Sequence, residues 1–199
     1  MGDSLRLGCI FLASGYARRF GQNKLLADFQ GRPMIDVILE KHPYERFCQT
    51  VVVTRYPEIA VSAAIHGCTV VENEDPTGDI ARTIRSGIAA LMPGLSGCMF
   101  SVCDQPLLTP ASIHRLVDAF WASPDKIVAL GSGGRRGNPV IFPAALLSEL
   151  ASLPSGESGS AVIRRHPGLL QLVEAGCPAE LWDVDRPEDL SALPKTDTI

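Results

Sequence analysis

The 199-residue chain predicts an α/β fold: a mostly parallel sheet covered by helices on both faces, with an antiparallel element in its C-terminal half. Three observations carry that expectation. Apolar runs of strand length alternate with helical stretches from residue 7 to residue 130. Those runs are nearly unbroken in apolar character, as strands buried on both faces must be. After residue 130 a glycine-rich connection joins two strand-like runs, which is how a hairpin reads.

The first run, residues 7–12 (Leu-Gly-Cys-Ile-Phe-Leu), reads as a buried strand, and a helical pattern follows over 34–41. Residues 50–54 (Thr-Val-Val-Val-Thr) form the next strand, with a helix over 58–65. A strand over 69–71 precedes an amphipathic helix over 80–91. Another over 98–102 precedes a helix over 110–121 opened by Pro110, whose missing N–H is one the first turn leaves unpaired anyway. Beyond a strand over 127–130, the segment 131–137 (Gly-Ser-Gly-Gly-Arg-Arg-Gly) turns the chain into an antiparallel strand over 139–142. Helices over 144–153 and 159–165, a strand over 181–184 and a short helix opened by Pro187 complete the order. No repeat, low-complexity segment or linker interrupts it, so residues 1–199 are expected to form one domain.

Composition narrows the partners. Hydrophobic residues at 46% and charged residues at 20% give an ordinary globular balance. A net charge of −4 offers no electrostatic footprint for nucleic acid, so any phosphate site has to be local. No apolar stretch approaches the ~20 residues that span a bilayer, and Met-Gly-Asp-Ser at the start lacks the basic and apolar regions of a secretory signal. A cytoplasmic protein without membrane or nucleic-acid partners is expected. Six cysteines form no C-x-x-C pair, and Cys9, Cys98 and Cys103 fall in strand runs where a free thiol acts as a small hydrophobe. His42, His66, His114 and His166 lack metal-ligand spacing and are expected at the surface.

The most informative stretch follows the first strand: Leu12-Ala-Ser-Gly-Tyr-Ala-Arg-Arg-Phe-Gly-Gln-Asn-Lys24. Gly15 and Gly21 bring pliable backbone, and Arg18, Arg19 and Lys24 bring charge, to the carboxyl edge of a strand. That edge is where open α/β sheets bind ligands, and this pairing of small residues with cations suits a polyphosphate. Neither G-x-x-x-x-G-K-[ST] nor G-x-G-x-x-G is present, since Leu25 follows Lys24.

A second constellation is Cys98-Met-Phe-Ser-Val-Cys-Asp-Gln-Pro-Leu-Leu108, a buried strand ending in the carboxylate of Asp104. Opposite a polyphosphate loop, such a carboxylate is where Mg²⁺ is expected, because magnesium takes one or two carboxylates and completes its octahedron with water and phosphate oxygens. Asp104 also suits an Asx-type turn ahead of Pro106, and the residue types alone leave both open.

Together the two stretches resemble the signatures of nucleotidyltransferases, L-A-x-G-x-x-x-R-[MF]-G-x-x-K-L-L and V-x-D-Q-P. Leu12, Ala13, Gly15, Arg19, Phe20, Gly21, Lys24, Leu25 and Leu26 stand at the matching positions of the first. Trp182-Asp-Val-Asp-Arg-Pro-Glu-Asp-Leu190 resembles the closing D-[IV]-D-T-P-E-D-L, which assigns Asp185 to the metal site beside Asp104. Asp183 and Asp189 match less sharply, and Asp189 also reads as a first-turn helix charge. Along nearly its whole length the chain is similar to the molybdopterin cytidylyltransferases and the related accessory proteins of molybdenum hydroxylases. The resemblance implies a Rossmann-like, three-layer nucleotidyltransferase fold.

It also implies a reaction: transfer of a nucleotide, CMP from CTP on the D-Q-P branch, to the terminal phosphate of molybdopterin or the molybdenum cofactor, with pyrophosphate leaving. Arg19, Lys24 and Asp104 would be the catalytic residues. Leu12, Ala13, Ser14, Gly15, Arg19, Lys24, Asn73, Thr83 and Asp104 would bind the nucleotide, Mg²⁺ would sit on Asp104 and Asp185, and Arg135, Arg136 and Asn138 would meet the acceptor. A molybdenum hydroxylase apo-enzyme is the implied protein partner. The chain departs from the pattern on the acceptor side: Asn138 stands where histidine is usual, and Gly156-Glu-Ser-Gly-Ser-Ala161 lacks an arginine that only Arg164 could replace. A nucleotidyltransferase for a sugar phosphate, or a non-catalytic cofactor chaperone, stays open beside the main reading.

Overall fold

A computed structural model describes residues 5–16, 20–21 and 23–193. Seven strands form one sheet in the order β5-β4-β1-β6-β8-β7-β9. They are β1 (Leu7–Ala13), β4 (Gln49–Thr54), β5 (Thr69–Glu72), β6 (Gly97–Val102), β7 (Ile127–Ser132), β8 (Arg135–Pro143) and β9 (Leu170–Glu174). A separate small hairpin pairs β2 (Asp28–Phe29) with β3 (Arg32–Pro33). β1 runs parallel to both β4 and β6, and β7 parallel to β9. Within the described sheet β8 alone is reversed, antiparallel to β6 and β7. This is the mostly parallel, helix-flanked sheet with an antiparallel C-terminal element that the sequence predicts.

The period of two along β1 separates the core into two layers. Cys9, Phe11 and Ala13 face a cluster filled by α1 (Met34–Glu40), α2 (Pro57–Ile65) and α4 (Pro110–Ala122). Ile10, with Val51 and Val53 of β4, faces α3 (Ile80–Ala89), α5 (Leu147–Ala151) and α6 (Gly159–Arg165). The short α7 (Pro187–Ala192) follows near the C-terminus. α3 lies close on the sheet because residue 87 is glycine: a Cβ there would stand 2.7 Å from the Ile10 side chain.

Three expectations fail here. The strand expected over 181–184 is absent: Pro178–Leu181 is a 3₁₀ turn, and the residues after it join no strand, Val184 N–H donating instead to the Asp104 carbonyl just beyond the end of β6 at 2.8 Å. The last strand is instead Leu170–Glu174, an edge strand only partly buried, so its sequence shows no continuous apolar run. The helix expected over 144–153 begins as a 3₁₀ turn after Pro143 and stops short of Pro154.

His42 is not a surface residue. It is 4% exposed, stacked on Phe47 and edge-on to Phe11 and Tyr44, with Nε2 facing Thr50 Oγ1 at 3.3 Å. Burial depresses its pKa to about 3 from an ordinary 6.5. The unfolded chain therefore takes up a proton that the folded chain refuses between those values, and stability is complete above pH 6.5 and falls as the pH drops toward 3. We expect His42→Phe, which keeps the ring packing, to flatten this acid limb. Urea midpoints measured from pH 7 to pH 4 check it, and an unchanged limb would show that other groups govern it.

Candidate functional site

The loop after β1 is held from one side. Thr54 Oγ1 donates to the Ala13 carbonyl at 3.1 Å, Arg55 Nε to that of Ser14 at 3.0 Å and Tyr56 OH to that of Gly15 at 3.0 Å. Ser14 Oγ in turn donates to the Val53 carbonyl at 3.0 Å. The Arg55 guanidinium lies 3.9 Å over the Tyr16 ring, whose hydroxyl donates to the Pro76 carbonyl at 2.7 Å. With three successive carbonyls engaged by the end of β4, the loop is fixed while Gly15 faces open space: a Cβ added there meets nothing within 4 Å. Among the described residues no contact requires glycine at that position, whereas a ligand approaching the backbone would. Arg19, with Ala17 and Arg18, lies outside the described residues.

Lys24 opens a 3₁₀ turn, Lys24–Leu26, capped by the Asn23 side chain. Its Nζ lies 2.8 Å from Asp104 Oδ2 and 3.1 Å from Asp185 Oδ1. These contacts bring together residues 80 and 161 positions apart in the chain. The bond from Val184 to the Asp104 carbonyl makes this possible by laying residues 183–185 across the end of β6. Burial would lower the Lys24 pKa, but the two carboxylates outweigh it and the net shift is upward, so the ammonium stays charged. Asp189 accepts from the N–H groups of Asp185 (2.8 Å) and Arg186 (2.7 Å), so it fixes the turn that presents Asp185. Gln105 is buried and donates from Nε2 to Asp183 Oδ1 at 2.9 Å. Partial desolvation and the nearby Asp104 charge push the Asp183 carboxyl above its usual value.

The donor set fits a hard divalent cation. Asp104 Oδ1 is buried and has no hydrogen-bond partner among the described residues, while Asp104 and Asp185 converge on one point at which a cationic nitrogen already sits. Among the described residues no group of three or more histidine, cysteine or acidic side chains comes together; magnesium needs only one or two carboxylates when phosphate and water supply the rest.

These residues line a cleft of about 360 Å³ with Leu12, Ser14, Gly15, Gly78 and Thr83. Ala13 is fully buried and is not among the residues lining the cleft; its carbonyl is engaged by Thr54. Asn73 is not on the cleft wall. It is buried behind Thr83, donating to Thr83 Oγ1 at 3.0 Å and accepting from the Asp75 N–H at 3.1 Å, so it positions the threonine. Gly78, at φ +72°, has the Tyr16 ring where a Cβ would be, 2.7 Å away.

A second cavity of about 250 Å³ shares Leu12, Ile80 and Val102 with the cleft. Phe100 and Phe142 give it an apolar floor, and Arg136, Asn138, Ser158 and Ser160 supply its polar groups. Arg136 donates to Ser160 Oγ at 2.9 Å. The hairpin tip is Gly133–Gly134, both at positive φ, so the two arginines stand on β8 rather than at the tip. Arg135 lines neither cavity, and Arg164 is exposed on α6 away from both. Sequence reasoning missed Arg55, Tyr56 and Gln105, although Arg55 and Tyr56 leave the end of a parallel strand beside β1, where such anchors belong.

Comparison with known proteins identifies the fold and the family. Over 209 aligned residues the chain is 26% identical to nicotine blue oxidoreductase of Paenarthrobacter nicotinovorans, covering 97% of this chain and all of that protein. A nucleotidyl transferase from Methanothermobacter thermautotroptrophicus superposes with a TM-score of 0.79 at 20% identity over 95% of this chain and 96% of its own. A manganese complex of Rv0371c from Mycobacterium tuberculosis H37Rv superposes at 0.75 with 24% identity, covering 96% and 98%. The family model described as the MobA-like NTP transferase domain matches residues 9–170, which include the glycine loop, Lys24 and Asp104, and the chain belongs to that family.

Proposed function

We propose that the chain transfers CMP from CTP to the terminal phosphate of molybdopterin or of the molybdenum cofactor, releasing pyrophosphate in a magnesium-dependent reaction. Nucleotidyl transfer is the chemistry of its family. One observation carries the placement: Lys24 between Asp104 and Asp185, in a cleft that shares a wall with a cavity bearing Arg136.

A phosphate acceptor is already anionic near neutral pH, so no general base is needed. Its oxygen forms a bond to the α-phosphorus of the triphosphate as the bond from that phosphorus to the β-bridging oxygen breaks. Catalysis then comes from positioning and charge neutralisation. Lys24 meets charge developing on the phosphates, Gly15 lets the backbone approach them, and Thr83 and Ser14 border the nucleoside. Arg19 belongs with Lys24 on the triphosphate. Bound to Asp104 and Asp185, magnesium supplies further neutralisation of the phosphate charge; the manganese complex of the mycobacterial neighbour is consistent with a divalent cation in such a protein. Arg136, Asn138 and Ser160 meet the acceptor phosphate, with the pterin over the phenylalanine floor. CTP rests on the resemblance of D-Q-P to the cytidylyltransferase branch, and a molybdenum hydroxylase is the protein to which the product passes.

The relative named nicotine blue oxidoreductase raises redox chemistry, for which a dinucleotide is one reductant to test, as an alternative. The lysine–carboxylate cluster favours transfer, and the sequence carries no G-x-G-x-x-G loop. The deciding experiment is pyrophosphate release with CTP, GTP and ATP in the presence of magnesium and molybdopterin, with nicotinamide dinucleotide oxidation measured in parallel. Release with CTP supports the proposal. Triphosphate binding without release points to a cofactor chaperone, and dinucleotide oxidation overturns transfer.

Lys24→Ala is expected to lower turnover by ~10²–10³ while leaving the fold intact, the loss typical of one transition-state charge contact. Asp104→Asn and Asp185→Asn should each abolish magnesium-dependent turnover, and the double variant should lose little more than the worse single, because members of one unit are not additive. Multiplying losses would show that they act apart. On the acceptor side, Arg136→Ala should raise the KM for the pterin phosphate with triphosphate affinity unchanged, and Arg135→Ala should change neither. Equal effects at both positions would refute the division between the two cavities.

A further inference from the structure

We propose that Lys24 stands in for the divalent cation in the ligand-free protein and so makes cation binding conditional on the triphosphate: metal and nucleotide enter together. This rests on the metal-dependent reading above. One ammonium occupies one oxygen of each carboxylate that would hold the metal, at 2.8 Å from Asp104 and 3.1 Å from Asp185. The lysine and Asp104 side chains are only 16% and 21% exposed, so this pairing is less screened by water than an open surface bridge.

A cation arriving alone has to displace that ammonium. The displaced group would then stand in a partly buried cleft without an anion, which is strongly unfavourable for a charge. Among the described residues lining the cleft, Asp104 and Asp185 are the only carboxylates, and Asp183 beside them is already engaged by Gln105. A triphosphate changes the balance, because its oxygens give the ammonium a new partner while the metal takes the carboxylates. The exchange needs no backbone movement. Leu25 is buried and Asn23 caps the turn, which fixes the base of the lysine, while its four-carbon stem swings the charge between partners. Asp104 Oδ1, buried and unpartnered, is the oxygen this arrangement leaves for the metal.

The test is Mn²⁺ titration followed by electron paramagnetic resonance on the whole protein, first without nucleotide. Lys24→Gln and Lys24→Met should bind Mn²⁺ about 10- to 100-fold more tightly than wild type, the range expected for releasing hydrogen bonds between charged groups. Adding a β,γ-methylene analogue of CTP should tighten Mn²⁺ binding much more in wild type than in either variant. A second measurement uses wild type alone. The Nζ resonance of Lys24 in ¹⁵N-lysine-labelled protein, assigned through its side-chain carbons, should stay in place with millimolar Mg²⁺ and move when the analogue is added. Equal Mn²⁺ affinity in wild type and variants without nucleotide, or a resonance that moves with Mg²⁺ alone, overturns the inference and leaves the function standing. Absence of Mn²⁺ binding in all three proteins even with the analogue overturns both.

Discussion

The site exists because β1 is paired in parallel with a strand on each side. Its last residues are in register with the end of β4, Ala13 opposite Thr54, and with the end of β6, Leu12 opposite Val102. Three chain segments therefore leave the sheet at one edge and within reach of each other: the glycine loop, the Arg55–Tyr56 anchor and Asp104. A slip of one residue would exchange the two faces of β1 and send Ala13 and Phe11 into the wrong core layer. The packing of both layers thus enforces the alignment that brings the chemistry together. Nothing in the cleft has to hold itself in place.

Charge is the second constraint. Within the described cleft one ammonium faces Asp104 and Asp185, with Asp183 and Asp189 just behind. A buried carboxylate oxygen without a donor carries a penalty of ~1–3 kcal/mol, and Asp104 Oδ1 is in that state. The fold keeps it, which is the pattern expected where stability is given up for a functional position. Among the described residues the carboxylates outnumber the ammonium, so an anion entering the cleft would need a cation to accompany it.

What could be read in the sequence was what depends on local pattern. The apolar runs located β1, β4, β6 and β7, Pro110 marked the start of α4, and the spacing of the glycine loop and D-Q-P singled out Lys24 and Asp104, which the fold brings into contact. What could not be read depends on tertiary partners. Leu170–Glu174 is half-exposed and pairs with β7 alone, so it lacks the unbroken apolar character of an inner strand. Residues 181–184 (Leu-Trp-Asp-Val) carry three apolar side chains of strand type, yet Glu180, buried and bound to the Cys177 N–H and to Thr109, holds the 3₁₀ turn that precedes them. His42 gave no sign of burial because the packing of Tyr44 and Phe47 around it, and of Phe11 from β1, appears only in the folded chain. Asn73 was read as a ligand contact, and its position behind Thr83 is visible only once β5 and α3 are packed.

The acceptor side follows the same logic with less help from motifs. Residue 79 follows the glycine packed under Tyr16, and its carboxylate holds two loops at once: Asp79 Oδ1 accepts from the Ala81 N–H at 3.1 Å and from the Gly156 N–H at 3.0 Å, with Arg85 at 3.9 Å. Those bonds hold the Asp79 pKa below its usual value, with the Gly156 N–H the largest cause, so the carboxylate is charged at neutral pH. The segment beginning at Gly156 carries Ser158 and Ser160 to the second cavity, where Ser160 meets Arg136. Arg136 of β8 thus stands beside this segment, and Asp79 ties the loop at Gly156 to the start of α3, whose Ile80 and Thr83 line the cleft. A change at Gly156 therefore reaches the cleft through a backbone hydrogen bond to one carboxylate.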